Sequence, residues 1–115
     1  MGIAIRLISI KIPNFKELNL PSRMSKITEK NAGLTLITGP TGSGKSSTLA
    51  SMINHINMNS AKHIITIEDP IEFFHRPDHS RISQRELGID TENYATGLRS
   101  ALRQDPDIIM IGEMR

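Results

Sequence analysis

The chain has no cysteine and no tryptophan, one tyrosine and three phenylalanines in 115 residues. Without cysteine there is no disulfide framework and no thiolate zinc site in this stretch, a usage compatible with the cytoplasm. With so few rings, the stacking platforms that hold single-stranded nucleic acid are scarce, Phe73 and Phe74 forming the one pair. The formal net charge is only +2, too weak a basic balance to argue for a nucleic-acid partner. No apolar run approaches a membrane span. No repeat or low-complexity tract is present, and the length suits one domain with a modest core.

Against these absences stands Gly39-Pro40-Thr41-Gly42-Ser43-Gly44-Lys45-Ser46, a complete G-x-x-x-x-G-K-[ST] phosphate loop with an extra glycine at Gly42. Glycines let the backbone turn through positive φ, and successive N–H groups then form a nest for phosphate oxygens. Lys45 supplies a compact charge for the β- and γ-phosphates, and the Ser46 hydroxyl can ligate Mg²⁺. Ser47 continues the nucleotide-binding stretch into the helix, whose N-terminus favours the same anion. Both flanks suit the motif. Residues 33–38 form a short apolar, β-branched run that predicts a buried parallel strand. Leu49, Met52, Ile53 and Ile56 then recur at helical spacing.

Further along, Ile3 to Ile12 reads as a strand closed by Pro13. Residues 17–20 suggest a helical turn, and Ser22 a cap for a short helix through Ile27. His63–Ile67 and Ile108–Ile111 read as buried strands and Arg81–Gln84 as a short one. Tyr94, Leu98, Ala101 and Leu102 fall at helical spacing before Pro106. Strands alternating with helices predict an α/β fold with a parallel sheet, whose ligands sit beyond the carboxyl ends of the strands.

Two acidic features fall there. Asp107 to Glu113 has the form of a Walker B strand, four apolar residues followed by Gly112-Glu113 in place of the usual Asp-Glu pair. Its single tip carboxylate can hold Mg²⁺ directly or through water. The second acid is expected from Glu68-Asp69-Pro70-Ile71-Glu72, where clustered carboxylates call for a cation. Spacing alone leaves open which glutamate activates water.

These segments, together with Leu98–Pro106, resemble the type IV pilus and type II secretion ATPases, and most of all their pilus-retraction members. The match covers nearly the whole chain. Thr66–Phe73 resembles that family's Asp box, and Leu102–Arg115 its Walker B segment. The resemblance implies a RecA-like P-loop NTPase core with a mainly parallel sheet, truncated after the Walker B strand. It assigns residues 1–20 to an interdomain arm following an N-terminal domain, and residues 21–115 to the first part of the motor domain. Lys45, Glu72 and Glu113 become the catalytic set. Glu72 would activate the attacking water, and Ser46 and Glu113 would serve Mg²⁺. ATP and Mg²⁺ are the implied cofactors. The implied assembly is a homohexamer, cytoplasmic and peripheral at the bacterial inner membrane, engaging a pilus or secretion platform protein and no nucleic acid. A histidine-containing segment, on a strand lying between those of Walker A and Walker B, would follow Arg115.

Several residues keep open roles. Glu68 and Asp69 are further candidates near the metal. Arg99 and Arg103, one helical turn apart, form a solvated face, a subunit contact or a γ-phosphate sensor. Arg6 is a candidate to reach nucleotide from the interdomain arm, and Arg115 is expected to organise the histidine segment. His75 and His79 straddle Pro77, which removes helical metal spacing and predicts solvated loop histidines. Gln84-Arg85-Glu86 marks the retraction-type branch within the resemblance. Three functions follow: a pilus-retraction ATPase, an assembly, secretion or conjugation ATPase of the same family, and a nucleotide-binding module without hydrolysis. The last fits an isolated fragment, which this stretch, ending where chemistry should be, is expected to be.

Overall fold

The computed structural model describes residues 8–30, 32–38 and 44–112. In chain order these contain α1 (Met24–Thr28), α2 (Lys45–Asn59), β1 (His63–Glu68), β2 (Arg81–Glu86), α3 (Tyr94–Leu102) and β3 (Ile108–Ile111). The three strands form one parallel sheet in the order β2-β1-β3. The parallel α/β architecture expected from the sequence is therefore present.

Strand β1 is central because both its faces are apolar. Ile64, Ile65 and Ile67 are completely buried. Side chains alternate along a strand, so Ile64, Thr66 and Glu68 share one face and Ile65 and Ile67 the other. Ile64 packs with Ile53 and Ile56 of α2 and with Met110 of β3, Leu49, Ile82 and Ile108 completing the cluster. Helix α3 covers the opposite face. It approaches closely because Gly97 has no side chain: a Cβ there would lie 3.2 Å from Ile67 Cδ1 and from Thr91. Its N-terminus is capped by Asn93, whose Oδ1 accepts from Thr96 N at 2.8 Å. At the amino end of the sheet, Asp107 Oδ2 accepts from His63 N at 2.8 Å, which ties β3 to β1.

Four expectations need correction. Residues 33–38 join no ladder, and Leu34 and Leu36 are 77% and 62% exposed. A lone extended segment has no partner for its N–H and C=O groups. Of the strand expected from Ile3 to Ile12, residues 3–7 lie outside the described residues, and the rest makes a single bridge, Ser9 to Phe73. Ser22 does not cap α1: Arg23 holds the N-cap position without a side-chain bond, and the Ser22 carbonyl accepts from Ser25. His75 is not solvated but 2% exposed. It is enclosed by residues distant in sequence. Asn57 Nδ2 donates to Arg76 O at 2.7 Å, and Asn57 Oδ1 accepts from Asp78 N at 2.8 Å and Ser80 N at 3.2 Å, folding the 76–80 loop inward.

No helix intervenes between β1 and β2. Residues 69–80 make that crossover as irregular chain, long enough to return to a parallel register.

Candidate active site

Helix α2 begins at Lys45 behind Gly44, whose φ of +88° lies in the left-handed region that glycine adopts without penalty. No side chain caps this terminus and no acidic residue occupies its first turn. Helix N-termini carry unsatisfied donors and partial positive charge, so an uncapped one is suited to an anion.

The sheet aims its carboxylates at the same place. A cavity of about 530 Å³ brings Gly44, Lys45, Ser46 and Ser47 together with Glu68, Asp69 and Glu72. Tyr94 and Gly112 also line it, so the carboxyl ends of β1 and β3 both open onto the cavity. Gly39, Pro40, Thr41, Gly42 and Ser43 lie outside the described residues, as do Glu113, Arg6 and Arg115. Arg99 and Arg103 are exposed on and just beyond α3 and do not line the cavity. Among the described residues no group of three histidine, cysteine or carboxylate side chains is arranged to hold a metal by itself.

Glu68 is the best-supported acid. Its Oε2 accepts from Thr66 Oγ1 at 2.8 Å and from Gln84 Nε2 at 3.1 Å. Burial pushes its carboxyl above the ordinary value. Those two hydrogen bonds oppose the shift, and the charges of Glu72 and Glu86 reinforce it. Glu72 is exposed, carried on the irregular segment after β1.

That segment is held from outside. Ile71 N donates to Glu86 Oε1 at 2.9 Å, and Gln84 Nε2 donates to Phe73 O at 2.8 Å. Gln84 Oε1 accepts from His75 N at 2.9 Å. The Glu72 carbonyl accepts from Ser9 N at 3.1 Å. Sequence reasoning noticed Gln84 and Glu86 only as branch markers and gave Tyr94 no role at the site. A short strand with polar residues alternating on one face was the available signal for the first two.

A parallel α/β sheet whose carboxylates face an uncapped helix N-terminus across a cavity defines the phosphate-loop class of fold. The family model described as "Type II/IV secretion system protein" matches residues 3–115. The chain belongs to that family. It is 54% identical over 110 residues to a "Twitching motility protein" of Neisseria gonorrhoeae, covering 96% of this chain and 29% of that protein. It is 47% identical over 114 residues to the "Type IV pilus retractation ATPase PilT" of Pseudomonas aeruginosa, covering 99% of this chain and 33% of that one. Among solved structures it resembles the pilus retraction motor PilT with bound ADP, with a TM-score of 0.92 and 53% identity over 96% of this chain and 32% of that one. The chain thus spans about three-tenths of the length of the relatives it matches.

Proposed function

We propose that this chain is the nucleotide-binding core of an ATP-hydrolysing motor that powers pilus retraction. The observation that carries the reading is the convergence of Lys45 and Ser46, at an uncapped helix N-terminus, with Glu68, Asp69 and Glu72 across one cavity. ATP is the substrate. Its phosphates would be held by the loop from Gly39 to Ser47, with Lys45 on the β- and γ-phosphates.

Magnesium fits the donor set. Carboxylates crowded at one cavity favour a cation, and Ser46 and Glu113 are the residues that would hold it, directly or through water. When bound, the ion neutralises phosphate charge. The protein's part is to orient the nucleotide and to exclude competing water. Glu72 accepts the proton of the attacking water as general base.

Residues 1–20 are read as the arm leading into the motor domain and residues 21–115 as the beginning of that domain. The assembly is a homohexamer on a cytoplasmic, peripheral site at the bacterial inner membrane, docked on a pilus platform protein and not on nucleic acid. Arg99 and Arg103 are candidates for a subunit contact or a γ-phosphate sensor, Arg6 for reaching nucleotide from the arm, and Arg115 for organising the histidine segment. None of the described helices is long and apolar enough to cross a membrane. The family description also covers secretion, which favours one second reading, an assembly or secretion ATPase. A cysteine-pair zinc segment downstream in the parent protein would mark it.

The test uses the full-length parent. Lys45→Ala should weaken nucleotide binding by about 1.5–3 kcal/mol, the value of a charge-assisted contact, read by titration calorimetry. Glu72→Gln should keep binding and lose about 10²–10⁴-fold in turnover. Equal affinity in the first variant, or wild-type hydrolysis in the second, refutes the respective assignment.

A further inference from the structure

We propose that Gln84 and Glu86 are positioning residues for Glu72, a paired clamp on β2 that fixes the backbone on either side of the base. The inference rests on the functional reading above. Its geometry is independent of it.

Glu72 lies on a connection with no ladder of its own beyond the single bridge of Phe73 to Ser9. Such a segment fluctuates unless its backbone groups are tied down. Here the ties come from two side chains two residues apart. Glu86 accepts from the residue before Glu72, through Ile71 N at 2.9 Å, and Gln84 donates to the residue after it, through Phe73 O at 2.8 Å. The pair shares a face because β2 alternates, and the register sets Gln84 beside Thr66 and Glu86 beside Glu68. They therefore stand on the sheet face that carries Glu68 into the cavity.

Gln84 is bonded through both of its polar atoms. Both its N–H donors are used, on Phe73 O and Glu68 Oε2, and its oxygen accepts from His75 N. One amide thus couples the half-buried Glu68 carboxylate, the chain following the base and the loop beyond. Glutamate at this position would lose both donors and set a second carboxylate against Glu68. Methionine would fill the space and make none of the bonds. A side chain needed only for packing would tolerate methionine. A clamp would not.

The experiment is a double-mutant cycle in the full-length motor, reading kcat, KM for ATP and ADP affinity. Gln84→Met should lower kcat roughly 10- to 100-fold, as expected for a displaced catalytic group, with ADP affinity within about twofold. In the Glu72→Gln background the same change should cost almost nothing further, because the clamp acts through the base. Glu86→Leu should behave alike, and Glu86→Gln, which keeps an oxygen for Ile71 N, should recover most of the turnover that Glu86→Leu loses. Should Gln84→Met unfold the motor, the Glu86 series decides the matter. A Gln84→Met motor with wild-type kcat, or losses that multiply fully with Glu72→Gln, overturns the clamp alone. Full turnover by Glu72→Gln overturns the base assignment and the clamp with it.

Discussion

Replacing Gly44 with alanine separates backbone strain from steric crowding at the phosphate loop. Gly44 sits at φ +88°, and a Cβ built there meets nothing within 4 Å among the described residues. Against the described residues the steric part is close to zero, and the cost expected is that of holding an L-residue in the left-handed region, about 1–2 kcal/mol. Where the cost appears depends on the free protein. If Gly44 keeps this conformation without nucleotide, the strain lowers unfolding stability. If alanine lets the loop relax, it is restored on binding and raises Kd, about 5- to 30-fold for the same energy. The two losses should sum to about 1–2 kcal/mol whichever way they divide. Denaturant unfolding and ADP titration of Gly44→Ala, run on the same full-length preparation, give both. Asparagine tolerates this region better, so Gly44→Asn should lose less than Gly44→Ala. A combined loss within about 0.5 kcal/mol, the range of an ordinary surface substitution, would show that the loop does not need the left-handed residue.

Two other perturbations follow from the buried polar groups. Asn57→Leu should destabilise by about 3 kcal/mol or more in denaturant unfolding, because Arg76 O, Asp78 N and Ser80 N lose their common partner. His75 is held neutral by burial, its pKa lowered from 6.5 to about 4. The unfolded chain takes up that proton first, so the stability His75 contributes above pH 6.5 should be lost as the pH falls towards 4. The slope should approach about 1.4 kcal/mol per pH unit. Glu68, with its pKa raised, acts in the opposite sense, its contribution being lost as the pH rises through its folded value. The difference between wild type and His75→Leu isolates the histidine, and an unchanged slope in that variant would refute the assignment.

How much of this was legible in the sequence depended on how local the cause was. The i, i+3, i+4, i+7 spacing from Leu49 to Ile56 and the isoleucine runs of β1 and β3 report burial directly, and those elements formed where expected. Residues 33–38 carry the same kind of run, yet a strand is a relation between two segments, and the pattern of one cannot supply the other. His75 was misread for a related reason. Pro77 rightly excluded a helix, but enclosure of the loop depends on Asn57, far back in the chain. The convergence of Lys45 with Glu68, Asp69 and Glu72 was legible because parallel topology sends every carboxyl end to one side. The means by which Glu72 is held was not, since β2 reads as a short polar strand until its register is known.

That register carries a consequence of its own. Gln84 and Glu86 stand on the sheet face that carries Thr66 and Glu68, while Arg85 points to the other side and donates to Ser100 Oγ of α3 at 3.3 Å. A slip of β2 by one residue would exchange the two faces. Arginine would then enter the carboxylate cluster, and glutamine and glutamate would turn towards α3. Ile82, the residue that β2 contributes to the cluster around Ile64, would leave it as well. One alignment of β2 therefore serves both sides of the sheet at once, setting Gln84 and Glu86 beside Thr66 and Glu68 and bringing Arg85 to Ser100 of α3.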